Sequence, residues 1–281
     1  MTAPLFHLSP GALDGAAAGS VVTLSGAEGY HAATVMRLGT GEPIQLSDTR
    51  ARRADGVVLS TRAGELHVEV RELIDEPVLR PALVLVQALA KDKRDLQAVE
   101  SATELGVDAV IPWDAQRSVA RWKAGREAKK HAEWENTVRS AAKQTRRTAI
   151  PEVRPLHTTT QYCQWLQSMN EAVTGFDQEP PKIAALVLHE RESRSLLSVL
   201  CWDFGLLYDD LSWAADEEIE ELHILVGPEG GISDEEIEQL TQAGARTALL
   251  GKNVLRASTA GPAGISAIQL LRGDWGTLAQ P

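Results

Sequence analysis

The sequence predicts a two-part chain, a small all-β barrel or sandwich over residues 1–76 followed by an α/β domain over 77–281. Three observations predict it. Up to about residue 76, short alternating segments are separated by Gly, Asp and Ser clusters. From Ala82 onward, apolar runs alternate with helix-period segments, as in α/β domains built on a mostly parallel sheet. Between the two lie Asp75, Glu76, Pro77, Arg80 and Pro81, where two prolines in five residues remove backbone donors and disfavour helix. A chain of 281 residues also exceeds the roughly 100–200 residues usual for one domain, so each part can bury its own core.

In the first part, strands are predicted at Val21–Leu24, Pro43–Leu46, Gly56–Ser60 and His67–Glu72. In the second, they are predicted near Ala82–Leu89, Asp108–Ile111, Ile183–His189, Leu222–Val226 and Thr247–Leu250. Asp92–Leu105 reads as a helix closed by Gly106, which suits a left-handed cap. A second helix spans Lys129–Lys143, with Trp134, Val138 and Ala142 at helical spacing, and a third covers Thr160–Met169. Residues 198–221 break the rhythm. There Trp202, Phe204, Leu206, Leu207, Tyr208 and Trp213 are embedded among acids, which predicts an acidic insertion or covering flap.

Charge is distributed unevenly. The net value of -11 argues against a nucleic-acid partner, because phosphate binding relies on Lys and Arg displacing counterions. Yet Arg117 to Arg154 holds eleven Lys or Arg against four Glu, a surplus of seven, while Asp203 to Glu238 holds thirteen acids and no Lys or Arg. One region can therefore face phosphates while another stays solvated. Two cysteines, Cys163 and Cys201, are too few for a disulfide framework and fit a reducing compartment. The start MTAPLFHLSP has no basic segment leading into a long apolar run, and Ala82–Ala90 is far shorter than the ~20 residues a membrane span needs. The expectation is a cytoplasmic chain. His189 and Glu190 begin like a zinc helix motif, but Ser193 stands where the second His would be, so no metal is expected.

Two segments carry chemistry. In HILVGPEGGISDEEIEQL, an apolar strand runs into Gly227, Pro228, Glu229, Gly230 and Gly231, after which Ser233 and Glu236 have capping-box spacing. So much glycine at a strand's carboxyl end lets backbone approach a ligand in the crevice where open α/β sheets bind theirs. The loop has neither the Gly-Lys-Ser/Thr of a P-loop nor the G-x-G-x-x-G spacing of dinucleotide folds. In ALLGKNVLRASTAGPAGISAIQLL, a short strand ends at Gly251, an irregular stretch holds Arg256, and a helix starts near Ser258 or Thr259. The small residues from Ala257 to Gly264 permit close packing on backbone or ligand.

Together these segments resemble the carboxyl-terminal motifs of the SPOUT methyltransferases, specifically the small-subunit ribosomal RNA uracil-N3 family usually called RsmE. The match is a strand followed by GPEGG, then Leu250, Gly251, Leu255, Arg256, Thr259 and Ala260 as Leu-Gly-x-x-x-Leu-Arg-x-x-Thr-Ala. Upstream, ATELGV at Ala102–Val107, the set Gln144, Arg147 and Pro151, and Leu188-His189-Glu190 also fit, as do His31 and Arg37 in HAATVMRL. The chain departs from the pattern at Ser101, Asn253 and Ser258.

The resemblance implies a PUA-like RNA-binding barrel followed by a SPOUT domain with a deep trefoil knot, forming a homodimer. It implies S-adenosyl-L-methionine as cofactor and N3 of a uridine, 1498 by family, in 16S rRNA of the 30S subunit as target. The cofactor would lie against Leu188, His189, Glu190, Gly227 to Gly231, Leu249, Leu250, Gly251, Leu255, Arg256, Ser258, Thr259 and Ala260. Arg256 or Arg147 would offset charge on the uracil, and Glu229 is the nearest candidate base, though better suited to holding its loop. RNA would be tracked by His31, Arg37, Arg50, Arg52, Arg53, Arg117, Arg121, Lys143, Arg146 and Arg147. Two other functions fit the same residues: methylation of a ribose 2'-hydroxyl or another base, and a non-catalytic RNA-binding relative.

Overall fold

The computed structural model describes residues 3–77, 79–171, 182–208, 211, 213, 219–272 and 275. It divides into two compact units, one made of Met1–Val78 with Arg139–Ile150, the other of Leu79–Val138 with Pro151–Pro281.

In the first unit, the elements are β1 (Leu5–His7), β2 (Val21–Leu24), α1 (Gly26–Tyr30) running into a π-helical turn (His31–Val35), β3 (Pro43–Ser47), β4 (Arg52–Arg62) and β5 (Glu65–Asp75). The sheet order is β1-β3-β4-β5-β2, antiparallel except for the β1–β3 pair. Alternation drives it: Ala54, Gly56 and Val58 on β4 and Leu66, Val68 and Val70 on β5 point inward, where Phe6, Leu13, Leu24 and Leu46 complete the core. The β4–β5 hairpin closes through Ala63 and Gly64, both at positive φ (52° and 82°), the twist that two-residue hairpin loops require. Gly56 sits at a register shift where an added Cβ would come within 2.7 Å of the Glu69 carbonyl. Strand β2 has the expected bounds and β3 runs one residue further, whereas β4 and β5 extend well beyond the expected Gly56–Ser60 and His67–Glu72, because the added alternation is carried largely by polar residues; β1 was not expected.

The second unit begins with β6 (Ala82–Ala88), a 3-10 turn (Lys91–Lys93), α2 (Arg94–Glu104) and β7 (Ala109–Asp114). Helix α3 (Glu127–Gln144) follows, its last turn and a half counted with the first unit, then β8 (Glu152–Val153), β9 (His157–Thr158) and α4 (Thr159–Glu171). The chain continues with β10 (Ile183–Leu188), α5 (Leu196–Trp202), β11 (Glu221–Val226), α6 (Asp234–Gln242), β12 (Arg246–Ala248) and α7 (Ala257–Arg272). All pairs in the sheet are parallel, in the order β12-β10-β11-β6-β7-β8 with β9 also on β7. Leu83 to Val86 and Ile224 to Leu225 are fully buried, as expected for strands covered on both faces. Although α7 follows the edge strand β12, it packs on α2, β6 and β11 near the middle of the sheet. Gly261 makes that approach feasible, since a Cβ there would meet Leu85 at 2.7 Å.

Two expectations need correction. The helix predicted from Asp92 starts at Arg94, because Asp92 and Lys93 are left-handed (φ 55° and 59°) and no α-helix passes through such residues. The expected insertion at 198–221 begins inside helix α5, whose cap is Ser195, with its side chain accepting from the Ser198 N–H. Residues 209, 210, 212 and 214–218 of that acidic stretch lie outside the described residues. No helix among the described residues is long and apolar enough to cross a membrane.

Candidate cofactor cavity

The carboxyl ends of β10, β11 and β12 converge with the start of α7 around a cavity of about 300 Å³. Its wall includes Leu188, His189, Glu190, Gly227, Pro228, Glu229, Gly231, Leu255, Arg256 and Ala260, all expected from the sequence. A smaller space of about 70 Å³ shares Leu188, His189, Glu190, Leu255 and Ala260 and adds Leu249, Leu250, Gly251 and Asn253. The larger volume lies at the low end of what ligand sites occupy.

Local packing explains why these loops hold their shape. After Val226 the chain turns at Gly227, where a Cβ would come within 2.5 Å of Ile232. Gly231, at φ 72°, donates its N–H to the Pro228 carbonyl at 2.9 Å. The loop then enters α6 through the expected capping box: the Ser233 hydroxyl accepts from Glu236 N at 3.1 Å, and Glu236 Oε2 accepts from Ser233 N at 3.2 Å. Glu236 does more than cap. Fully buried, its Oε1 also accepts from Gln116 N and the Thr159 hydroxyl, tying the loop to β7 and α4.

Leu249 is held from both sides by the segment after β10: its N–H donates to the Arg194 carbonyl and its carbonyl accepts from Leu196 N. Beyond it, none of the backbone N–H groups of Leu250 to Leu255 has a hydrogen-bond partner among the described residues. Backbone donors and acceptors rarely go unpaired beside a cavity unless solvent or a ligand takes them. Of these residues, Leu250, Gly251, Asn253, Val254 and Leu255 line one or both of these spaces, and Gly251 to Leu255 are also open to solvent. The chain closes into α7 where the Arg256 carbonyl accepts from Thr259 N and Ala260 N.

Not every expected residue lines this space. Gly230 packs on the Arg117 main chain, Ser258 is buried within α7 and Thr259 is exposed. Arg147 belongs to the first unit, where its carbonyl accepts from His7 Nε2 at 2.9 Å. Burial pushes His7 below the ordinary imidazole range. Arg94, missed by the sequence reading, is on the cavity wall, 3.5 Å from Glu229 Oε1, and that oxygen accepts the Lys91 N–H at 3.1 Å. The run Lys91-Asp92-Lys93-Arg94 at the end of the neighbouring strand β6 was the available signal.

Several basic residues expected on RNA are in ion pairs. Arg52 binds Asp75 at 2.6 Å, Arg53 lies near Asp55 and Glu76, Lys143 binds Glu28 at 2.6 Å, and Arg121 pairs with Asp114. Arg117 reaches toward the Gly230 carbonyl at 3.5 Å. Arg37 and Arg146 have left-handed backbones, and His31 lies 3.4 Å from Lys143 Nζ. Arg50 is exposed and borders a cleft of about 570 Å³ in the first unit, with Arg139, His7 and Glu28. Among the described residues no group of His, Cys, Asp or Glu is arranged to hold a metal ion.

A model of the RNA methyltransferase domain matches residues 78–269. Ribosomal RNA small subunit methyltransferase E of Mycobacterium bovis is 37% identical, over 92% of this chain and 89% of that protein. The protein of the same name in Bacillus subtilis is 28% identical, over 90% of this chain and 92% of its own length. A crystal structure of ribosomal RNA small subunit methyltransferase E from Neisseria gonorrhoeae, bound to S-adenosyl methionine, has the same fold. Its TM-score is 0.74 at 23% identity, over 96% of this chain and 98% of that one. With its motifs, its sheet and its relatives in agreement, this chain belongs to the RNA methyltransferase domain family, among the ribosomal RNA small subunit methyltransferase E proteins.

Proposed function

We propose that the protein uses S-adenosyl-L-methionine to methylate N3 of a uridine in 16S ribosomal RNA. The observation that carries this reading is the cavity at the carboxyl ends of β10, β11 and β12, walled by both family motifs and bordered by backbone amides that have no partner among the described residues. Those amides and the glycine-lined loop fit an adenosyl group bound mainly through backbone. The relatives' names supply the ribosomal RNA of the small subunit. When bound, the cofactor supplies an electrophilic methyl group on a sulfonium.

The chain's residues then have to hold an unpaired base against that methyl group, since N3 is hidden in a base pair and the base must be flipped or single-stranded. Orientation supplies much of the rate, and cationic side chains at the cavity stabilise charge on the uracil. Arg256 is on the wall for that role. Arg147 and the basic residues of the first unit, Arg50 and Arg139 among them, would contact RNA phosphates and set register. We further read the first unit as a PUA-like barrel, and the second as knotted, with Leu249 gripped by 194–196 and α7 returning to mid-sheet in support. A homodimer acting on 30S subunits in the cytoplasm completes the proposal.

The test incubates purified protein and labelled S-adenosylmethionine with small subunits from cells lacking this gene, followed by nucleoside analysis. Appearance of 3-methyluridine is the expected result. A 2'-O-methylated or other methylated nucleoside instead would move the target. RNA binding with neither methyl transfer nor cofactor binding would make the protein a non-catalytic relative.

A further inference from the structure

The loop after β6 leads into Arg94, a part of the cavity wall that neither motif covers. In it Asp92 (φ 55°, ψ 31°) and Lys93 (φ 59°, ψ 26°) are consecutive left-handed residues. Neither is a glycine, so the conformation is strained, and such strain persists where surrounding contacts impose it. Glu229 provides those contacts. Its Oε1 accepts the Lys91 N–H at 3.1 Å and lies 3.5 Å from Arg94 Nη1. One carboxylate thus fixes both ends of the strained turn, and Arg94, the first residue of α2, is delivered to the cavity that Arg256 also lines. Its side chain remains 37% exposed. A guanidinium has five N–H donors, so one long contact to Glu229 leaves most of them available to a ligand.

We propose that Arg94 is a catalytic residue that donates to a uracil carbonyl flanking N3, and that Glu229 is a positioning residue for Arg94 rather than the base. This rests on the uracil-N3 reading above. In the step it serves, the N3 proton leaves to water and the N3 lone pair forms a bond to the methyl carbon. The carbon–sulfur bond breaks with its electron pair retained by sulfur, so the sulfonium becomes a thioether. Negative charge on the uracil before attack spreads onto the two carbonyl oxygens beside N3. An arginine is suited to hold it there, since it stays charged and transfers no proton. Removing one donor of this kind costs about 10²–10³ in turnover in comparable sites.

The charged and titratable groups on the wall are Arg94, His189, Glu190, Glu229 and Arg256, and of these His189, Glu190 and Arg256 are left unchanged in every variant. The experiment uses Arg94→Gln, Arg94→Lys, Glu229→Gln and the Arg94→Gln/Glu229→Gln double variant of the full chain. It measures kcat and KM on small subunits across pH, and the Kd for S-adenosylmethionine by calorimetry. Arg94→Gln should lower kcat about 100-fold, leave the cofactor Kd within about twofold, and shift the pH-rate profile to more alkaline values. Arg94→Lys should recover part of the rate. Glu229→Gln should lower kcat less, and the double variant should be no slower than Arg94→Gln alone. The proposal is overturned if Arg94→Gln weakens cofactor binding tenfold with kcat intact, which would make Arg94 a ligand of the cofactor's carboxylate. It is equally overturned if Glu229→Gln costs the same rate with or without Arg94, as a base would. Absence of 3-methyluridine from the wild type is a separate outcome and would refute the underlying reading instead.

Discussion

The two ends of the parallel sheet use polar groups in opposite ways. At the amino ends of the strands, Arg154 donates to both oxygens of Glu221 at 2.8 and 2.6 Å, and His223 Nε2 donates to Glu221 at 2.7 Å. The Tyr162 hydroxyl then donates to His223 Nδ1 at 2.9 Å, while Trp165 stacks on the His223 ring and lies under the Arg154 guanidinium. Burial alone would raise the Glu221 carboxyl, but the hydrogen bonds from Arg154 and His223 outweigh it and hold it at about 2. The bonds to Glu221 in turn raise Arg154, while burial pushes Tyr162 well above its ordinary value and His223 below it. Every member has a partner inside the protein. At the carboxyl ends, by contrast, the amides of Leu250 to Leu255 have no partner among the described residues and the glycines keep side chains out of the way. Satisfied polar groups hold a scaffold together; unsatisfied ones beside a cavity are available to a ligand.

This contrast predicts separable effects. The largest comes from Arg154→Met, which leaves the mostly buried Glu221 without its bidentate partner and should cost about 3 kcal/mol. Urea unfolding would measure it, with the cofactor Kd of the folded protein unchanged. A loss below about 1 kcal/mol would mean that the network is not a structural brace.

Second is Gly227→Ala, whose new Cβ would sit 2.5 Å from Ile232 Cγ1 and push the loop. Cofactor affinity should fall about tenfold, or about 1.4 kcal/mol, with a smaller change in stability. Calorimetry alongside thermal unfolding separates the two. Ser233→Ala should have a smaller effect, about 1 kcal/mol of stability, by removing half of the capping box. Here the comparison sharpens, because Ser233 braces the loop from behind and cofactor affinity should hardly move.

The gentlest probe is pH. Glu221 is held below its unfolded value, so its contribution is complete above 4.5 and is lost as pH falls toward about 2. His223 is also lowered, so the neutral ring's contribution is present above 6.5 and fades below it. The unfolding midpoint should therefore drop from pH 7 to pH 3, and Glu221→Gln should flatten the limb below 4.5. An unchanged limb in that variant would remove Glu221 as its source.

The carboxyl end was legible because its chemistry is local. GPEGG, the capping box at Ser233 and Glu236, and the Leu250 to Ala260 string each lie within a dozen residues, and backbone conformation there follows from glycine and cap preferences. The amino-end network was not legible. Arg154, Tyr162, Trp165, Glu221 and His223 come from three separate segments, and Arg154 read as one more cation in a basic run. The same applies to Arg52, Arg53 and Lys143, whose acidic partners Asp75, Glu76 and Glu28 are 23 and 115 residues away. Charge counts along a chain do not reveal which cations are already paired. Arg94 was hidden differently, by a helical pattern that continued through Asp92 and Lys93 although Glu229, 138 residues from Lys91, holds that turn open.

By itself the sequence determined the periodicity that makes one alternating sheet and one parallel sheet, the sites of tight turns, and the two motifs that border the cavity. These depend on neighbours a few residues apart, where side-chain pattern and backbone preference act directly. The tertiary structure alone decided which polar groups satisfy one another and which are left for a ligand. It also decided that α7 crosses back to the middle of the sheet to complete the cavity wall. Such pairings join residues far apart in the chain, and they are selected by burial, which makes an unpartnered charge too costly to keep in the interior.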